Sequence, residues 1–384
     1  MIPLSVPALG GNEWKYVKEC LDTGWVSSAG SYVDRFEKEL AEFTGAAHVI
    51  ACVNGTAALQ IALELVGVSE DDEVLIPTVT FIAPVNAIKY NRARPVFMDC
   101  TDFYTLDVIK TARFIREETT FLDGFSYNRS TNRRVSAIVP VHVFGNAVDF
   151  STLLDLCEER NIAVVEDAAE SLGTRYSEGR FAGSHTGTLG KAGCVSFNGN
   201  KIITTGGGGV IITDDSVLAE KAKYLTQQAK DDVVYFVHDS IGYNYRLTNI
   251  QAAMGVAQLE LMDNYLLRKQ NTFETYRRLL ADVPGLRIAD VPDFATCNHW
   301  MIPLVVDAEI YGKDRDCIIR ELAENEIQTR PVWHLNHLQK PYLDCQSFEI
   351  ETAHSVLANT INLPSSVSIS DEEIEKVVDR LRNG

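Results

Sequence analysis

The feature that most constrains this chain is an alternation. From about residue 45 to 215, short apolar runs take turns with helix-like segments. The runs AHVIACV (47–53), EVLIP (73–77), RPVFMDC (94–100), SAIVPVHV (136–143) and IAVVEDA (162–168) have the length of strands and consecutive apolar residues. A strand that is apolar on both faces needs cover on both faces. TAALQIALELVG (56–67), apolar nearly all round, reads as a helix buried on a sheet, and FSTLLDLCEERN (150–161) carries one apolar stripe. Strand–helix–strand repetition predicts an α/β fold with a parallel sheet between helices. Ligands of such sheets gather at the carboxyl ends of the strands.

The alternation breaks at 110–135, where charge, aromatics and turn formers mix; this segment reads as a helix followed by an exposed loop. From 249 to 282 one helical pattern runs without proline, ended by Pro284 and Gly285. A helix that long commonly bridges two domains. Beyond it, MIPLVVD (301–307) reads as a strand and DRDCIIRELAENE (314–326) as a helix. The chain has 384 residues, too many for one small core. The expectation is a large domain over 1–260, with an N-terminal arm, and a smaller α/β domain over 261–384, joined by the 249–282 helix.

Charge and cysteine usage exclude other classes. The net charge is −18, so a nucleic-acid or anionic-membrane surface, each needing a basic face, is not expected. A local positive site for an anionic small molecule stays compatible with that charge. The eight cysteines are scattered, with no CxxC and no zinc-like Cys/His cluster, so no metal is expected. They read as buried thiols in a reducing compartment. No apolar stretch is long enough to span a bilayer, and MIPLSVPALGGNEW lacks a signal-peptide pattern, so the expected location is cytoplasmic.

Short motifs carry the chemistry. SFNGNKIITTGGGGV (196–210) places Lys201 before Gly206 to Gly209. A phosphate loop needs its glycines before the lysine and a helix after it; here the order is reversed and the strand-like GVIITDD follows. VVEDAAESLG (164–173) ends an apolar strand in Glu166 and Asp167. Asp167 reads as a helix cap or as a buried carboxylate that needs a cation, such as a protonated ring nitrogen. VNGTAAL (53–59) joins a strand to a helix start whose N–H groups suit an anion or an ordinary cap. TFIAP (80–84) brings Phe81 to the same edge, as core or as a platform for a planar ring. A phosphate turn, a ring platform, a carboxylate and a lysine together describe a pyridoxal phosphate site.

These motifs, in this order, resemble the DegT/DnrJ/EryC1/StrS family of nucleotide-sugar aminotransferases, fold type I pyridoxal phosphate enzymes. The resemblance runs from IPLSVPALGGNEW and LDTGWVSSAGSYVDRFEKELAEFTG (21–45) through NGTAAL, IPTVTFIAP, IVPVHVFG, VVEDAAESLG and GCVSFNGNKIITTGGGG to IGYNYRLTNIQAAMGVAQLE (241–260). It implies a mixed, mostly parallel sheet in the large domain. It implies that Lys201 is the Schiff-base lysine and Asp167 the partner of the pyridinium. Ser196, Thr56 and Ala57 would hold the phosphate, and Phe81 would stack on the ring. Asn244 in GYNYRL matches an asparagine that reaches the phosphate from the neighbouring subunit, which implies a homodimer with shared active sites. Glu170 stands where many relatives have Gln or His near the cofactor's phenolic oxygen. An ionised carboxylate would repel a phenolate, so Glu170 is expected to be protonated or bonded elsewhere.

KYLTQQAKDD (223–232) and INLPSSVSI (361–369) resemble the subgroup that makes 4-amino sugars for legionaminic acid-type pathways. That resemblance implies amino transfer from glutamate to C4 of UDP-linked 4-keto-6-deoxy-N-acetylglucosamine. The alternatives are a GDP- or dTDP-linked ketosugar, or a non-enzymatic sensor on the same scaffold. Family dehydratases carry histidine at the lysine position, against which Lys201 argues. Candidate substrate contacts are His185, Arg246 and His337, each also open to a surface, salt-bridge or structural role.

Overall fold

The computed structural model describes residues 1–232 and 234–383. Strands form at the apolar runs. His48–Cys52 (β1), Glu73–Pro77 (β2), Arg94–Met98 (β3), Val135–Ile138 (β4), Ala163–Asp167 (β5), Ala192–Ser196 (β6) and Gly209–Thr213 (β7) share one sheet. Later come Leu286–Ile288 (β8), Ile302–Val306 (β9), Arg330–Pro331 (β10), Ser347–Phe348 (β11) and Thr360–Leu363 (β12). The large sheet has the order β1-β7-β6-β5-β4-β2-β3-β11. β7 runs antiparallel to β1 and β6, and the remaining pairs are parallel. The sheet is therefore mixed and mostly parallel. β8-β9-β12-β10 form a second, antiparallel sheet.

Burial follows the sequence pattern. β2 is buried at every position. The helix Gly55–Leu65 buries every residue except Thr56 and Glu64, as a helix pressed against a sheet must. Because β1, β2, β5 and β6 run the same way, their following turns reach one edge, and antiparallel β7 begins there.

The chain crosses between the two sheets more than once. β11, from the C-terminal third, extends the large sheet beside β3, and Ile2 bridges Ile327. The expected 249–282 helix is in fact two helices, Asn249–Leu259 and Met262–Leu280. The backbone leaves helical geometry at Leu261 (φ −104°, ψ 1°), beside Glu260, whose carboxylate accepts from Asn12, Tyr16 and Arg35. Met262 and Tyr265 then pack in the core under the large sheet, whereas Phe273, Tyr276 and Leu280 pack with the small one. The expected exposed loop within 110–135 is instead a hairpin of Thr119–Leu122 with Phe125–Asn128. Asp123 (φ 51°) and Gly124 (φ 83°) make its two-residue turn, the dipeptide such a turn favours. Six cysteines are buried; Cys317 and Cys345 are partly exposed.

Candidate active site

After β1, Asn54 caps the helix Gly55–Leu65 by accepting the Ala57 N–H at 2.8 Å. The N–H groups of Gly55 and Thr56, in the first turn, have no intrahelical acceptor. Thr56 lines a cavity of about 360 Å³; Ala57 does not, and its N–H is committed to the cap. Of the two expected phosphate contacts in this turn, Thr56 is the one that borders the cavity. Glycines bring this turn close to its neighbours. A Cβ on Gly209 would lie 2.5 Å from the Gly55 nitrogen, and one on Gly55 would lie 2.9 Å from Ser196 Cβ. The turn, Ser196 at the end of β6 and the start of β7 thus form a cradle that side chains would fill.

β5 delivers two acids to opposite faces, as alternation along a strand requires. Asp167 is buried; its Oδ1 accepts from the Ala169 N–H at 2.9 Å, and its other oxygen makes no hydrogen bond among the described residues. Burial raises its pKa, against the opposing pull of the Ala169 N–H and Lys201. Glu166 is fully satisfied. It accepts from the N–H groups of Gly187, Leu189 and Gly190 and from His142 Nε2 at 2.9 Å. Val148 N–H donates to His142 Nδ1 at 3.1 Å, which leaves Nε2 to face the Glu166 carboxylate. Burial opposes ionisation of Glu166, but His142 and the backbone donors outweigh it and hold its pKa below the usual value.

Glu170 Oε2 accepts the Phe144 N–H at 2.8 Å, and Oε1 lies 3.8 Å from Lys201 Nζ. Phe144 has a left-handed backbone (φ 59°), rare for a bulky residue. Burial raises the Glu170 pKa to about 7 against the opposing pull of Lys201. Lys201, between β6 and β7, rests 4.0 Å from the centroid of the Trp300 ring. Burial lowers its pKa, and Glu170 and Asp167 oppose the fall. Phe81, 52% exposed, stands at the mouth of the cavity 6.4 Å from the Trp333 ring.

The cavity therefore collects Thr56, Phe81, Asp167, Glu170, Ser196 and Lys201. A larger hollow of about 620 Å³, at the amino ends of β4 and β5, holds no such set; its Arg134 and Arg180 are paired with Asp72 and Asp155. Other expected contacts lie elsewhere. His185 is buried, its Nε2 accepting from Gly173 N–H at 2.7 Å and its Nδ1 bonded to the Thr186 carbonyl. Burial pushes its pKa down to about 3, and it does not border the cavity. Arg246 donates to the Ser28 carbonyl at 3.1 Å and lies 3.6 Å from Asp34 and Glu37, away from the cavity. His337 bonds Thr78 Oγ1 at 2.8 Å and braces the loop before Phe81 instead of lining the site. Asn244 is exposed, outside the cavity of its own chain, and bridges Gln227. Trp300, Trp333, Phe144, Asn54 and Asn200 were not anticipated. The first three arrive from distant or irregular segments, and only Asn54, a capping residue before a helix, carried a local signal.

The fold and this lysine–carboxylate cavity are those of a pyridoxal phosphate aminotransferase. Residues 7–382 match the model of the DegT/DnrJ/EryC1/StrS aminotransferase family. GDP-perosamine synthase of Caulobacter vibrioides is 36% identical over 98% of this chain and 96% of its own. The GDP-perosamine synthase of Vibrio cholerae is 34% identical over 100% of this chain and 99% of its own. The solved aminotransferase TlmJ from Streptoalloteichus hindustanus has a TM-score of 0.88 at 28% identity, covering 100% of this chain and 98% of its own. The chain belongs to the DegT/DnrJ/EryC1/StrS aminotransferase family; it is a nucleotide-sugar aminotransferase with pyridoxal phosphate as cofactor. The residues present fit that cofactor: a buried carboxylate with one oxygen free of hydrogen bonds among the described residues, a cradle with free N–H donors, and a lysine beside them. No helix among the described residues is long and apolar enough to cross a membrane.

Proposed function

We propose that this chain moves an amino group from glutamate to the C4 keto carbon of a nucleotide-linked 6-deoxyhexose, giving a 4-amino sugar. The convergence of Lys201, Asp167, Glu170, Ser196 and Thr56 on one cavity carries the reading. The name shared by the two relatives, GDP-perosamine synthase, favours guanosine diphosphate as the carrier over the uridine diphosphate expected from the motifs.

Pyridoxal phosphate, when bound, supplies an electron sink for charge left at carbon. The chain's own residues do the rest. The Gly55 and Thr56 N–H groups, the Ser196 hydroxyl and the helix dipole would hold the phosphate. Asp167 would keep the ring nitrogen protonated, and Phe81 would offer a platform for the ring. Lys201 Nζ, once free, takes the proton from the α-carbon of the donor and later returns one to C4 of the sugar. Its lowered proton affinity leaves more of the amine free to act as a base. Glu170, whose pKa burial raises to about 7, would place less negative charge beside the phenolic oxygen than an ordinary carboxylate. Asn244, exposed and outside its own cavity, is free to serve a neighbour's phosphate, and we propose a homodimer on that basis.

The purified protein is expected to be yellow, and borohydride to fix the cofactor on the Lys201 peptide, read by mass. With glutamate, GDP-, UDP- and dTDP-linked 4-keto-6-deoxy sugars are compared by 2-oxoglutarate release, and the GDP sugar is expected to turn over fastest. A colourless protein, or one that aminates none of them, ends the reading. A preference for the UDP sugar returns the carrier to the one the motifs imply.

A further inference from the structure

Trp300 is 3% exposed, yet its ring faces the Lys201 amine at 4.0 Å. Its position is fixed on every side. Nε1–H donates to the Asn200 carbonyl at 2.7 Å, and its backbone N–H donates to Asn298 Oδ1 at 2.9 Å. Its carbonyl accepts from Lys269 Nζ at 2.7 Å and from Ser365 Oγ at 3.2 Å. Asn298 in turn donates to the carbonyl of Glu170 at 2.9 Å. One strap, residues 298–300, therefore touches both members of the Lys201–Glu170 pair. His299 within it has φ 50°, a backbone state that persists only where the surroundings over-determine it.

Lys269 provides much of that determination. It is buried in the helix Met262–Leu280 and donates to the carbonyls of Trp300 and Ser365. It thereby ties that helix to the strap before β9 and to the turn after β12. An aromatic face attracts an ammonium but cannot take its proton, so it steadies a lysine without competing for what the lysine carries.

We propose that Trp300 is the positioning residue for Lys201, its indole face holding the amine beside Glu170, and that the Lys269–Trp300 bond fixes that face. The inference rests on the reading of Lys201 as the amine that moves the proton. Lys201 is also faced by Glu170 and by Asp167 from the end of β5, and both stay in place in every variant below.

Competitive acetylation across pH, read by mass spectrometry on the Lys201 peptide, gives the pKa of this lysine. The full chain is used in its pyridoxamine phosphate form or, if no cofactor binds, as purified; in either the amine is free. Trp300→Leu is expected to lower the pKa by about one unit, since the ammonium loses its aromatic partner. Trp300→Phe, which keeps a face, stays within about 0.3 unit of the parent. Lys269→Met moves it the same way by about half a unit, and the double variant goes no further than Trp300→Leu alone, as coupled sites do. An unmoved or raised pKa in Trp300→Leu, or full additivity, overturns the inference. If Trp300→Leu does not fold, an unmoved pKa in Lys269→Met overturns it instead. The cofactor reading fails by a different sign: pyridoxal phosphate that gives Lys201 no protection from acetylation.

Discussion

Lys201 and Lys269 are both drawn out of water, and both hold their protons less tightly for it. Their surroundings differ. The Lys201 side chain keeps 13% of its surface exposed toward the cavity and has Glu170 at 3.8 Å. Lys269 is 2% exposed, meets carbonyl oxygens and has no salt-bridge partner among the described residues. Burial brings its pKa down to about 7. A shifted lysine is thus not by itself a catalytic one. What separates the two is access to a cavity and a carboxylate that responds to the charge.

Removing each lysine tests that distinction most strongly. Lys201→Ala should cut transamination by about 10⁴-fold, because proton transfer and the bond to the cofactor are lost together. Lys269→Met should stay within about tenfold of the parent, the loss expected of a positioning bond. Single-turnover release of 2-oxoglutarate measures both, and comparable losses would erase the contrast. The next effect is smaller. Asp167→Asn keeps the shape and removes the charge that a ring cation needs. Breaking a buried pair in this way should weaken pyridoxal phosphate binding by about 10²- to 10³-fold. Titration by absorbance checks it, with Lys269→Met as the comparison whose affinity should change by no more than about tenfold.

The same contrast marks what could be read from sequence. Asp167 ends an apolar strand and Thr56 stands in the helix that follows one, so backbone direction brings both to one sheet edge, whereas Lys201 and Ser196 were readable only through the motif that resembles the family's. Trp300 was not. It reaches Lys201 on a strap that precedes β9, and a single tryptophan in NHWMIP gives no sign of which sheet edge it will meet. His185 looked like a loop histidine, and only the packed fold shows both ring nitrogens bonded. The break after Leu259 left no local mark, and the groups that meet Glu260 there, Asn12, Tyr16 and Arg35, lie more than two hundred residues earlier. The hairpin at 119–128 was different in kind. FLDGFSYN carries an Asp-Gly turn between aromatic runs, a local signal obscured by the charges around it.

The smallest test compares stability, in the absence of added cofactor, at Glu170 and Lys269, where pH should act with opposite signs. The folded pKa of Glu170 is about 7, above the unfolded value of about 4.3. Between these values the folded state holds the extra proton, so stability falls as pH rises. Lys269, at about 7, lies below its unfolded value of about 10.4. There the unfolded state holds the extra proton, so the stability set by this group increases from pH 7 upward. Each slope is limited to about 1.4 kcal/mol per pH unit, or about 2–3 kcal/mol over two units. Urea unfolding should therefore show Glu170→Gln gaining on the parent between about pH 5 and 7 and level above that. Lys269→Met should lose ground to the parent between about pH 7 and 9. If both differences run the same way with pH, the two buried groups do not titrate as their surroundings require, and the contrast between a catalytic and a structural lysine loses its electrostatic basis.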